Sequence, residues 1–191
     1  MPPLAGPCKD GDPIRLPHEA VPPMTKRLIL IRHAKSAWDD PLLPDHDRPL
    51  NPRGEGAARD LGQWLASRGY VPGEVLCSDA LRTRATWEGI APFLSDAPEP
   101  TLKPALYHAG ADVMLAVLRH ATADTVCLLG HNPGIAEFAH RLVKHPPLSP
   151  EFQKYPTGAT LVADFGEIDW ADAGYGMAEP VDFIVPRELV S

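Results

Sequence analysis

The chain has 191 residues, 44% of them hydrophobic and 23% charged, which suits the core of one α/β domain and leaves little room for a second. A formal net charge of -7 excludes the basic footprint usual for nucleic-acid binding, and no apolar run approaches the roughly 20 residues of a membrane span. Three scattered cysteines, Cys8, Cys77 and Cys127, build neither a disulfide framework nor a CxxC pair, so the expected setting is a reducing one, the cytoplasm.

Residues 1–23 are rich in proline, carry no helical or strand period and contain no apolar h-region of a secretory signal. They are expected to form a disordered tail ahead of a domain spanning 24–191. "RLILI" then reads as a strand buried on both faces, of the kind found in parallel sheets, and it stops at Arg32-His33. The loop "PLLPDHDRPL" follows. After it Asn51 can cap a helix, Pro52 suits its first position and Gly69 can end it. Ala57, Ala58, Leu61, Trp64 and Leu65 share one face of that helix.

"EVLCS" is a short strand leading to Ser78, an expected N-cap for "DALRTRATWEGIAPFL" with an apolar stripe of Leu81, Ala85, Ile90 and Leu94. Proline-rich "SDAPEPTLKP" separates this helix from the next, in the later half of "ALYHAGADVMLAVLRHA". "DTVCLLG" is another buried strand, ending at His131-Asn132, and "IAEFAHRLVKH" is its helix. After a long loop over 146–156, "TGATLVADF" and "VDFIVP" close the chain as strands. Strands alternating with helices make an α/β domain with a mostly parallel central sheet, and such sheets bind ligands beyond the carboxyl ends of their strands.

Two arginines and two histidines fall at or just beyond those ends: Arg32 and His33, Arg82, and His131. As a set they suit a phosphoryl group. Guanidinium forks grip its oxygens in pairs, and a neutral imidazole can take the group covalently, dividing one displacement into two. Fixed positive groups then stabilise charge on the equatorial oxygens, so a metal ion is not needed. A metal hydrolase on His33 and His131 lacks HExxH or HxH spacing, and the arginines would repel the cation.

"RHAKS", "SDALRTRAT" and "GHNPG", in that order and each after a strand, resemble the histidine phosphatase superfamily. "RHAKSAWDD…DRPLNPRGEGAA" is similar to its phosphohistidine phosphatase branch, the SixA-like proteins, and the likeness runs from about Lys26 to Phe165. The resemblance implies a phosphoglycerate mutase-like, three-layer α/β/α fold and a cofactor-free phosphatase. His33 would become phosphorylated, Arg32 and Arg82 would hold the phosphate, and His131 would complete the pocket. Ser36 takes a weaker supporting place, where relatives often carry threonine. Asn51 and Arg53 are expected to build the helix start rather than touch substrate, and Trp38 either floors the pocket or anchors its loop.

Many relatives have a glutamate that protonates the leaving alcohol, and Ala105 or Leu106 stands about where it would be. Glu99, His108, Asp112 or a loop carboxylate (Asp39, Asp45, Asp47) are the substitutes within reach. An alkoxide is a poor leaving group, with a conjugate-acid pKa near the 15.7 of water. Imidazole, with a conjugate-acid pKa of about 6.5, leaves far more readily once its second nitrogen is protonated. A site without a dedicated acid therefore favours phosphohistidine over phosphate esters. No long lid insertion follows the "SDALRTRAT" helix, which suits an open pocket. The expected partner is a phosphorylated protein such as a histidine-transfer domain, or else a small phosphorylated molecule, with no nucleic acid and no membrane. Two other readings stand beside this one: a phosphatase of small phosphoesters with the same mechanism, and a non-catalytic phosphate-binding module.

Overall fold

A computed structural model describes residues 25–189; the expected tail over 1–23 lies outside them. Its centre is a six-stranded sheet, α/β in class, formed by β1 (Lys26–Arg32), β2 (Glu74–Cys77), β3 (Thr101–Leu102), β4 (Thr125–Gly130), β5 (Thr160–Gly166) and β6 (Glu179–Ile184) in the order β3-β2-β4-β1-β5-β6. The first four positions of that order run parallel, and β5 and β6 pair antiparallel at the other edge. β3, two residues inside the stretch read as a proline-rich separator, is the strand that periodicity missed, because two residues carry no period.

Leu28, Ile29, Leu30 and Ile31 of β1 are fully buried, as a strand with helices on both faces requires. Successive side chains point to opposite faces and divide the core. Leu28 and Leu30 pack with α3 (Ala111–Leu118) and α4 (Gly134–Leu142), whereas Ile29 and Ile31 pack with α1 (Pro52–Arg68) and α2 (Leu81–Ile90). The result is the three-layer arrangement. Among the described residues no helix is long and apolar enough to cross a membrane.

α1 begins and ends as its residues dictate. The Asn51 side chain accepts from the Gly54 N–H at 2.8 Å, Pro52 follows it, and Gly69 closes the helix at φ 69°. α2 departs from expectation in two respects. Ala80, not Ser78, occupies its N-cap, with no side-chain bond there. Its buried face is Arg82, Thr83, Thr86, Trp87 and Ile90, while Leu81 and Ala85 are only half-buried. Polar residues turn inward because strand ends need partners. The Thr86 hydroxyl accepts from the Ala34 N–H at 2.9 Å, and the Thr83 hydroxyl donates to the Ser78 carbonyl at 2.8 Å.

Candidate active site

β2, β4 and β1 lie side by side, so their carboxyl ends meet. Arg32 is level with Gly130 and Cys77 with Leu129 in the ladders. Beyond these ends, backbone bonds carry the register onward: His33 N–H to the Gly130 carbonyl, Ser78 N–H to the Leu129 carbonyl, each 3.1 Å. A cavity of about 530 Å³ opens there, lined by Arg32, His33, Ser36, Arg82 and His131 together with Lys35, Trp38, Asp45, Arg48, Arg53 and His108. The five residues singled out in the sequence are thus brought to one pocket.

The two imidazoles are 5.1 Å apart between ring centroids. His33 Nδ1 lies 2.7 Å from the Ala34 carbonyl, which can only accept, so Nδ1 carries the proton and the Nε2 lone pair is free. Burial pulls the His33 pKa down to about 4, and the nearby Arg82 and Arg32 charges lower it further. The ring is therefore neutral at pH 7. Burial likewise lowers His131, to about 2, and the nearby rings and Arg82 act in the same sense. His131 Nε2 is 2.8 Å from the Ser78 hydroxyl, while its buried Nδ1 has no partner among the described residues.

Arg82 is held deep, its side chain 3% exposed, and Arg32 is half-buried with Nη1 donating to the Tyr155 carbonyl at 2.9 Å. Nε of both arginines is buried without a partner among the described residues. Such groups cost about 1–3 kcal/mol each when unpaired, and a site that receives an anion supplies the missing acceptor. Both arginines line the cavity, and burial and the Arg82 charge lower the Arg32 pKa.

Asp45 lies in a 3-10 turn over Asp45–Asp47 and is the carboxylate of the pocket wall. Its Oδ2 accepts from Arg82 Nη2 at 3.0 Å and from the Tyr107 hydroxyl at 2.8 Å, with His108 Nε2 at 3.3 Å, and its Oδ1 pairs with Arg48 at 3.0 Å. Against the desolvation that would raise it, the Tyr107 hydroxyl, Arg82 and His108 hold its pKa well below the usual carboxylate range. Asp45 is consequently ionised and a poor proton donor.

A family model of the histidine phosphatase superfamily (branch 1) matches residues 28–108. An uncharacterized protein of Mycobacterium tuberculosis is 34% identical over 164 residues, covering 82% of this chain and all of that one. A solved structure from Nakamurella multipartitia, named as a SixA phosphohistidine phosphatase, superposes with TM-score 0.71 at 32% identity, over 85% of this chain and 96% of that one. The chain belongs to the histidine phosphatase superfamily, in its SixA-like branch. An uncharacterized chloroplast protein of Arabidopsis thaliana is 37% identical over 130 residues, 62% of this chain, and the chain spans 60% of that relative's length. A phosphoglycerate mutase from Thermus thermophilus shares the fold at 20% identity and TM-score 0.53.

In this SixA-like chain the stretch that relatives use for a glutamate contributes none to the pocket. Leu106 is fully buried, Ala105 lies outside the cavity, and Asp112 is bonded to Tyr175 and Arg141 elsewhere. His108 takes the rim position. Arg53 lines the cavity as well as starting α1. Ser78 is no cap but the partner of His131. Arg48 escaped notice; in "HDRPL" it looks like an ordinary loop arginine, and only the fold turns it inward.

Proposed function

We propose that this protein hydrolyses phosphohistidine on a signalling protein through a covalent intermediate on His33. The observation that carries the reading is the combination, among the described residues, of a free Nε2 on a neutral buried histidine with two unpaired guanidinium Nε groups and a pocket carboxylate locked in ionised form. His33 Nε2 attacks phosphorus as the bond from phosphorus to the substrate imidazole breaks. The leaving ring departs neutral, keeping the proton on its other nitrogen, so no enzyme acid is required. Arg32, Arg82 and His131 Nδ1–H follow the charge on the equatorial oxygens. Water then attacks phosphorus, the Nε2–P bond breaks with the water's protons leaving on the phosphate product, and His33 is released neutral because Nδ1 has kept the proton it donates to the Ala34 carbonyl. Arginine supplies the positive charge throughout, and a cation would be repelled from the same wall. The buried thiols Cys77 and Cys127, free in the structure, suit a reducing compartment such as the cytoplasm.

One observation favours a small phosphoester instead. His108 stands at the pocket rim beside Asp45 and is the group placed to give a proton to an alkoxide. The deciding test compares turnover, with a chelator present, of a phosphorylated histidine-transfer domain against p-nitrophenyl phosphate and a set of small phosphoesters. Much faster turnover of phosphohistidine is expected. A faster ester would transfer the assignment to the small-molecule reading, and inactivity of folded protein on both would leave a binding module.

A further inference from the structure

The cavity has more room than one phosphoryl group needs; about 530 Å³ lies in the range that takes a drug-sized ligand. It is also lined by more positive charge than one phosphoryl group needs. Beside Arg32, Arg82 and the two imidazoles the lining includes a further cationic wall of Lys35, Arg48 and Arg53. That wall is a built feature. Segments 35–37 and 49–51 pair antiparallel through the Ser36–Leu50 bridge, Ala37 N–H to the Pro49 carbonyl at 2.9 Å and Asn51 N–H to the Lys35 carbonyl at 3.0 Å. Gly54 approaches so closely that an added Cβ would lie 2.1 Å from the Lys35 carbonyl oxygen, which brings the first turn of α1, and Arg53 with it, onto Lys35.

Counter-charge is scarce there. Arg48, 8% exposed, stacks with its Cζ 3.3 Å from the ring centre of Trp38, and its buried Nε has no partner among the described residues. Its carboxylate, Asp45, is shared with Arg82. Lys35 and Arg53 are exposed and make no ion pair among the described residues, although the protein as a whole is acidic. Like charges held together without anions repel, and the natural occupant of such a wall is negative.

We propose that Lys35, Arg48 and Arg53 form a second anion subsite, beside the phosphoryl position, which selects substrates bearing a further negative group next to the one transferred. This deepens the function proposed above and rests on it. Trp38, 73% exposed at the rim, and the two exposed cations face outward, which suits carboxylates flanking a phosphorylated residue on a protein surface.

The test is equilibrium binding of two peptides that carry the same non-hydrolysable phosphohistidine mimic, one flanked by aspartates and one by serines. A second pair of probes is a short alkyl bisphosphonate and the matching monophosphonate. The full chain is expected to bind the aspartate peptide about five- to tenfold more tightly at low salt, as two exposed charge pairs allow, with the preference shrinking at high salt. In Lys35→Ala/Arg53→Ala the ratio is expected to fall to near one. A preference among the phosphonates but not the peptides would keep the subsite and assign it to a small substrate. Equal affinities within both pairs, or a ratio that survives the double substitution, would overturn the subsite while leaving phosphohistidine turnover to stand on its own assay. Failure of every phosphoryl probe to bind would sink the phosphate pocket and the subsite with it.

Discussion

At the scale of single residues the site depends on which nitrogen of each ring is free. The Ala34 carbonyl sets the His33 tautomer, and the Ser78 hydroxyl engages His131 Nε2, so that Nε2 of one ring and Nδ1 of the other have no partner among the described residues. His33→Ala is expected to abolish turnover, since no other nucleophile shares the position; normal turnover would end the covalent mechanism. Arg82→Ala is expected to lower kcat by about 10²–10³, the loss seen when one preorganised oxyanion donor is removed. A steady-state comparison that found only a change in KM would mean that Arg82 binds ground and transition states alike. Arg32, His33, Arg82 and His131 were legible in the sequence as candidates because each lies at or just beyond the end of a buried strand. Arg48 was not, because a loop arginine shows nothing of its burial until the loop is folded against Trp38.

Elements matter here mainly through how closely they approach. α1 is capped by Asn51 and could form on local signals alone, yet what it contributes to the pocket depends on Gly54 meeting the Lys35 backbone. A side chain there collides with a carbonyl that cannot swing aside. Gly54→Ala is therefore expected to destabilise the fold by about 1–3 kcal/mol, the usual range for overpacking, despite the better helix propensity of alanine. Denaturant melts showing an unchanged or higher midpoint would contradict that contact. α2 illustrates the limit of periodicity. Of the expected stripe Leu81, Ala85, Ile90 and Leu94 the last two are buried, but in its first turns the helix leaves Leu81 and Ala85 half-buried and turns Arg82, Thr83 and Thr86 inward to satisfy Ala34, Ser78 and the pocket. Hydrophobic spacing cannot register a face that is buried for its hydrogen bonds.

For the molecule as a whole the pocket carries a stability cost that depends on pH. His33 falls from an ordinary 6.5 to about 4 on folding, and His131 moves the same way. Each binds its proton more readily unfolded, so the stabilised neutral form is complete above pH 6.5 and stability drains away as pH falls from there towards 4. For His33 the full loss is about 3 kcal/mol. Thermal melts should show Tm declining from pH 7 to pH 5, above the range where ordinary carboxylates protonate, and declining less in His33→Gln. A flat wild-type profile would contradict the burial of neutral imidazoles.

Apart from β3, the order of strands and helices, their boundaries within a few residues, and the four candidate side chains follow from local physics: apolar runs, caps and the punctuation of proline and glycine. Those signals act over a few residues, so a sequence carries them openly. Other features depend on pairs far apart in the chain. Asp45 meets Tyr107 across 62 positions, His131 meets Ser78 across 53, and the two-residue β3 exists because β2 lies beside it. Whether Asp45 is an acid or a locked anion was decided by Tyr107, Arg82 and His108, which the fold brings to it, because a carboxyl group takes its pKa from its neighbours as well as from its own residue type.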